Sequence, residues 1–466
     1  MKEEKKVKLV NNLVNVTNED SIYDFIWKKI EDTIISSEKD LFSTKYLDTK
    51  SKIGQILKII GTDAYFLHYS LYPLIRDYNP NEILERVRKL MVKYMGSNEY
   101  HGIKALTTLN DELSLVYAVT FVKTIEDLIE KMVRTAWSEI KERKEKGDKE
   151  AEKLWKQSND IDMALRCLCD MDEKQFGNLI NSAITNARET TLKYKDVKEI
   201  IEGGISAGKH SGNFLKTLTL AKKIPRITIA DEIITLGKKL SDKIPLHVRL
   251  NKVRGRFGDE LSGYVTTRNV EKALPRELAL PEPLFTMKLI SSGFLSKEKL
   301  EVREGAYYVL IDNSGSMSGE NTIWARAVAL ALLKLARKKK RKYFLRFFNT
   351  QVYPERKPIT DPYECLDAIL NIAPNGGTDI DFAIQVALED ISKHKLSDYT
   401  NTIILITDGQ DDVGFWIEEF KQLNVSLVSI MIKGDNPVLK RISTKYLKAE
   451  LTEEGGKKVL KVAEFS

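Results

Sequence analysis

Cysteine and histidine are scarce in this 466-residue sequence, at three and five residues. Cys167, Cys169 and Cys365 are too few and too sparse for a disulfide framework, so a reducing compartment is expected. The histidines (68, 101, 210, 247 and 394) are scattered, and Cys167-x-Cys169 is too short and too isolated for a zinc site. Nor does any apolar run approach the roughly 18 residues that a membrane span requires. The opening MKEEKKVKLVNNLVNV carries charge but no apolar core and no small-residue cleavage site, so it does not read as a signal peptide. A cytoplasmic protein is the expectation.

What is plentiful is charge of both signs. Charged residues make up 30% and hydrophobic residues 42%, with a formal net charge of +7. That composition supplies both a sizeable core and a polar surface, and the length exceeds one compact core, so two or three domains are expected. The mildly basic balance suits acidic proteins and nucleic acid equally and decides between neither.

Residues from about 18 to 200 read as successive amphipathic helices, among them 21–35, 81–95 and 115–146. Their apolar residues recur at three- and four-residue spacing, which implies a helical-bundle core. A charged stretch at 141–153 reads as a solvated helix end and turn. The Gly/Ser-rich 202–213 reads as a loop, followed by two helical segments and a Gly- and Pro-punctuated region at 251–300. Within that loop Gly203–Lys209 fits a G-x-x-x-x-G-K pattern. However, His210 stands where a phosphate-binding loop needs Ser or Thr, and the upstream segment is helical, so ATP binding by this chain is not expected.

From Tyr307 the pattern changes. The apolar runs 307–311, 343–348, 402–407 and 425–432 alternate with helical segments at 321–339, 361–372, 379–393 and 413–423. Strands apolar on both faces between helices imply a parallel sheet covered on both sides. The expected organisation is a helical domain over 1–201, a loop and helical connector over 202–300, and an α/β domain over 301–466.

The first strand of that sheet runs into Asp312-Asn313-Ser314-Gly315-Ser316. In an open α/β sheet, ligands sit beyond the carboxyl ends of the strands. This loop offers a carboxylate and two hydroxyls at alternate positions, with Gly315 expected to ease a tight turn. Asn375-Gly376-Gly377-Thr378-Asp379 adds the Thr378 hydroxyl, and Thr407-Asp408-Gly409 adds a second carboxylate. Such hard oxygen donors suit Mg²⁺, with Mn²⁺ or Ca²⁺ as alternatives, and not zinc. No His base or nucleophile–base pair accompanies them, so an enzyme is not expected.

The order Asp312-x-Ser314-x-Ser316…Thr378…Asp408 resembles the metal-ion-dependent adhesion site of von Willebrand factor A domains. That resemblance implies a doubly wound, Rossmann-like fold. It implies direct ligation by Ser314, Ser316 and often Thr378, with Asp312 and Asp408 acting through metal-bound waters. It also implies an open coordination position that a partner's Asp or Glu completes.

A second resemblance covers about 250–435. Leu274-Pro275-Arg276-Glu277-Leu278, Leu284-Phe285 and Trp324-Ala325-Arg326-Ala327 are similar to motifs of the ViaA family and its CoxE-like relatives. Asn313 and Arg276 depart from that family's usual Thr and Ser, and the N-terminal half agrees only in architecture. This resemblance implies a cytoplasmic adaptor or co-chaperone for a MoxR-type AAA+ ATPase, its client proteins, or both. The rivals are a Ro-like RNA-binding protein and an A-domain subunit of a metal chelatase. Against them stand the absence of a basic-aromatic platform and of a long acidic, Pro-rich linker.

Other features carry structural readings. Lys338–Lys342 is expected to offset a helix dipole rather than to bind phosphate. Phe347, Phe348 and Trp416 are expected to pack in sheet and helix. Asp411 and Asp412 are expected in a solvated first helical turn.

Overall fold

The computed structural model describes residues 10–11, 19–37, 45–75, 81–202, 214–224, 227, 229–242, 252–255, 260–302, 304–339, 341–394, 400–409 and 411–464. The Gly203–His210 loop lies outside them. The chain divides into two compact units, one within Met1–Glu199 and Ser206–Thr228, the other within Ile200–Ile205 and Ile229–Ser466.

The first unit is helical: α1 (Glu19–Ser37), α2 (Lys52–Tyr69), α3 (Glu82–Met95), α4 (Asn98–Thr107), α5 (Asp111–Glu145), α6 (Lys149–Gln157), α7 (Asp160–Asp170), the start of α8 (Glu173–Glu202) and α9 (Phe214–Lys223). A two-residue ribbon pairs β1 (Val10–Asn11) with β2 (Leu74–Ile75). Ser51, Asn81, Ser97, Asn110, Asp148 and Asn159 each accept a backbone N–H at a helix start, so the short polar residues between the apolar runs set the boundaries. Trp27, Ile30, Ile60, Val116, Val119 and Val122 belong to one buried core. The charged stretch is a helix end and turn, with Gly147 at φ 85° between α5 and α6. The last turn of α2 is closed by Lys104, whose Nζ donates to the carbonyls of Leu67 at 2.8 Å, His68 at 2.9 Å and Ser70.

The second unit begins its main body with α10 (Ala230–Asp242), then β3 (Lys252–Gly255), β4 (Glu260–Thr267), α11 (Pro275–Leu278), α12 (Glu282–Ile290) and β5 (Phe294–Val302). Strands β3, β5 and β4 form an antiparallel sheet in that order. The Pro275 motif builds a corner against it: Leu274 donates its N–H to the Leu295 carbonyl at 2.9 Å, and Lys288 pairs with the buried Glu277 at 2.6 Å. There follow β6 (Glu304–Asp312), α13 (Glu320–Lys338), β7 (Tyr343–Phe348), β8 (Val352–Tyr353), α14 (Pro362–Asn371), α15 (Ile380–Lys393), β9 (Thr400–Thr407), α16 (Ile417–Gln422), β10 (Val425–Ile432), α17 (Pro437–Ile442), β11 (Lys445–Ala449) and α18 (Glu453–Glu464).

The six-stranded sheet runs β11-β10-β9-β6-β7-β8, parallel throughout except for β8. Tyr308, Leu310, Leu405 and Met431 pack with Ile384, Leu439 and Ile442 on one face. Alternate residues of the same strands, such as Val309, Ile311, Ile404 and Ile430, are equally buried on the other face, where α13 lies on β6. The chain is thus an all-helical part followed by a doubly wound α/β part.

The sequence missed some elements. The 251–300 region forms a small sheet with α11 and α12, and it groups with the second unit together with α10, which lies along α13. The expected helix at 413–423 begins only at Ile417, with Trp416 as its cap residue. Strand β11 and helix α18 were not anticipated.

Candidate metal centre

Sheet order alone picks out one place for a site. From β6 the chain moves through α13 to β7 on one side, then crosses to β9 on the other, so the winding reverses between β6 and β9. Loops leaving the carboxyl ends of those two strands diverge there and open a crevice. Ile311 pairs with Ile406. Thr407 Oγ1 then donates to Asp312 Oδ2 at 2.5 Å.

Four of the five expected residues form a hydrogen-bonded chain in that crevice. Asp312 Oδ1 accepts the Ser314 N–H at 2.8 Å. The Ser314 and Ser316 hydroxyls lie 3.1 Å apart, and Ser316 Oγ donates to Asp408 Oδ1 at 2.8 Å. Thr378 is placed beside them by Gly409: a Cβ there would stand 2.9 Å from Thr378 Cγ2, so only glycine permits the approach. The Thr378 hydroxyl has no hydrogen-bond partner among the described residues. Asp312 and Ser314 are 2% exposed, whereas Ser316 faces solvent.

Electrostatics agree with an oxygen-donor cation pocket. Burial raises the Asp312 carboxyl above its usual range, hydrogen bonds from Thr407 and Ser314 pull it down, and the Asp408 carboxylate pushes it up again. Two facing carboxylates with hydroxyls between them fit a hard divalent ion. No group of three His, Cys, Asp or Glu side chains placed to hold a metal ion occurs among the described residues; three of the five candidate donors here are hydroxyls.

Several supporting residues were not legible in the sequence. Asn321, in the first turn of α13, donates to Asp408 Oδ2 at 3.3 Å and to the Ser316 carbonyl at 3.2 Å, while its own buried Oδ1 lacks a partner. Asn313 ties the first loop to the second: its amide donates to the Ala373 carbonyl at 2.7 Å, and its carbonyl accepts the Asn375 N–H at 2.7 Å. Behind it, the buried Arg326 donates to Asn313 Oδ1 at 3.3 Å and to the Ile372 carbonyl. Asn349, just after β7, donates to Asn375 Oδ1 at 2.9 Å. Nothing in the spacing distinguishes these residues from ordinary loop and helix positions.

The loop turns tightly at Gly315 in a short 3₁₀ segment, and Gly319 (φ 78°) and Gly376 (φ 78°) carry the positive angles. Two expectations need correction. Asp411 is not in the first turn of a helix at 413. Its Oδ2 accepts the Ile380 N–H at 2.9 Å and so helps cap α15. Trp416 caps α16 instead of lying within it, but it packs against the core on this face of the sheet as expected, and its Nε1 donates to Asp381 Oδ1 at 2.7 Å. By contrast, Phe347 and Phe348 are fully buried in the sheet, and Lys338 ends α13.

Residues 307–410 match the sequence model of the von Willebrand factor type A domain. Two uncharacterized proteins of Methanocaldococcus jannaschii are similar to the chain. One is 27% identical over 61% of this chain and 70% of its own, the other 26% identical over 79% and 86%. The regulatory protein ViaA of Proteus mirabilis is 28% identical over 34% of this chain and 35% of its own length. The chain therefore spans about a third of that protein.

Proposed function

Because the C-terminal part of the chain is a von Willebrand factor type A domain in a ViaA-like protein, we propose that it works as a metal-dependent adaptor between protein partners. Asp312, Ser314, Ser316, Thr378 and Asp408 would hold a divalent ion, Mg²⁺ first, with Mn²⁺ or Ca²⁺ as alternatives. When bound, the ion supplies a Lewis-acidic position open to an incoming carboxylate. The carrying observation is the hydrogen-bonded chain from Asp312 through Ser314 and Ser316 to Asp408, with the free Thr378 hydroxyl beside it.

In this reading each residue has a holding role. Thr407 and the Ser314 amide fix the Asp312 carboxylate, Asn321 fixes Asp408, and Asn313 keeps the Thr378 loop in register with the first loop. Asp312 and Asp408 together offset the charge of a divalent ion. The partner's Asp or Glu is then the group that completes the site. Regulation through protein contact accords with relatives that are regulatory or A-domain proteins and not named enzymes.

The partner we propose is a MoxR-type AAA+ ATPase or its client, because the Leu274–Leu278, Leu284-Phe285 and Trp324–Ala327 motifs resemble the ViaA family's. The test is calorimetric titration of Mg²⁺ into wild type and Asp312→Ala, with pull-down of a MoxR-type ATPase in Mg²⁺ or EDTA. Magnesium binding that Asp312→Ala abolishes is the expected result. A pull-down indifferent to EDTA and to Asp312→Ala overturns the role of the metal in that contact.

A further inference from the structure

The three loops that carry the candidate ligands bear only one sign of charge. Segments 312–325, 372–392 and 407–420 contain Asp and Glu but no Lys or Arg, in a chain whose net charge is +7. Asp412, Glu418 and Glu419 are exposed, and no ion pair among the described residues involves them. A divalent ion neutralises Asp312 and Asp408 and leaves this outer rim negative.

The same rim holds an apolar ledge. The 411–416 segment is fastened to the start of α15 at both ends. Asp411 accepts the Ile380 N–H, and Asp381 Oδ1 accepts both the Gly414 N–H at 2.7 Å and Trp416 Nε1. Between the two last anchors Phe415 stands 67% exposed, and Phe382, the residue after Asp381, is 42% exposed. A fixed loop that leaves phenylalanine in water beside a ligand site marks a contact surface.

We propose that the segment completing the metal site is a basic one. It carries a single Asp or Glu for the ion, Lys or Arg on its flanks, and an apolar side chain that covers Phe415 and Phe382. An acid-rich segment gains one metal contact and meets repulsion from Asp412, Glu418 and Glu419; a basic segment gains at both. This rests on the metal-dependent docking proposed above and specifies its partner.

The test uses the full chain in Mg²⁺ and three fluorescent twelve-residue peptides read by anisotropy. The first has one Glu beside a Leu, flanked by Lys and Arg. The second replaces that Glu by Gln. The third keeps Glu and Leu with Asp and Glu flanks. The first is expected to bind at least tenfold tighter than the third at low salt, with the gap narrowing as salt rises. Phe415→Ser should weaken it severalfold, and Asp412→Lys with Glu418→Lys should reverse the preference. Equal or tighter binding of the acidic peptide, or no binding of the basic one at millimolar concentration, overturns the proposal. If the basic peptide binds better, but equally with EDTA or as its Gln form, the metal-docking reading fails separately.

Discussion

Arg326 places a positive charge in the interior and makes no ion pair among the described residues. It is 2% exposed, and burial lowers its guanidinium to about 10. Its hydrogen bonds go to Asn313 Oδ1 and the Ile372 carbonyl, so it holds the two loops that flank the candidate metal centre. Arg326→Met leaves those acceptors unmet and should lower stability by about 1–3 kcal/mol. The readout is the urea midpoint at unchanged slope, and an unchanged midpoint would mean these bonds hold nothing. His68 makes a second residue-scale case. Burial pushes its imidazole down to about 3, against roughly 6.5 when unfolded. Between those values the unfolded chain binds the proton and the folded chain does not. Its contribution is therefore complete above pH 6.5 and shrinks as pH falls toward 3, by on the order of 5 kcal/mol. Denaturant titrations from pH 7 to pH 4 should show that decline, and His68→Leu should flatten it. That Asp312, Ser314, Ser316 and Asp408 belong together was legible because side-chain type and spacing are written in the sequence, and the structure joins them by hydrogen bonds. The holding roles of Arg326 and Asn321 were not: Arg326 stood out only within a motif, and neither residue type at a helical position announces a hydrogen bond to a neighbouring loop.

Strands and helices reveal a second class of dependence, where one buried polar group joins several elements. Arg346 on β7 pairs with Asp390 on α15 at 2.8 Å, and Tyr308 on β6 donates to the same carboxylate at 2.5 Å. Arg346 also donates to the Pro354 carbonyl just after β8. All three side chains are buried. Asp390→Asn strips the charge that balances Arg346 and should cost about 3–5 kcal/mol, measured by chemical unfolding. A loss below about 1 kcal/mol would show that Tyr308 and the Pro354 carbonyl suffice. Element recognition from sequence followed burial. β6, β7, β9 and β10 are apolar on both faces and stood out, whereas β11, with Lys445 and Lys448 exposed, has no such signature. The segments of β3, β4 and β5 mix charges with apolar residues and were passed over for the same reason.

At the scale of the molecule, metal binding is folding free energy. A site occupied at a hundred times its dissociation constant stabilises the folded state by about 2.7 kcal/mol. Excess Mg²⁺ should therefore raise the melting temperature of wild type, EDTA should reverse it, and Asp312→Ala should show neither effect. A melting temperature indifferent to Mg²⁺ would count against occupancy of the crevice. That a helical part is followed by an α/β part was readable from the change in periodicity, although the second unit's main body begins at Ile229 and not near Tyr307. The earlier join was less so, because α10 looks like another bundle helix until its place along α13 is known.

The borders of the six-stranded sheet have a further consequence. On one side it ends in β8, two residues followed at once by Pro354, which has no N–H to offer. On the other it ends in β11, five residues with lysines turned to water. Neither border presents a long apolar ladder of free donors and acceptors for a foreign strand to join. This sheet is thus guarded against side-by-side polymerisation, and crowding the protein should not propagate it edge to edge.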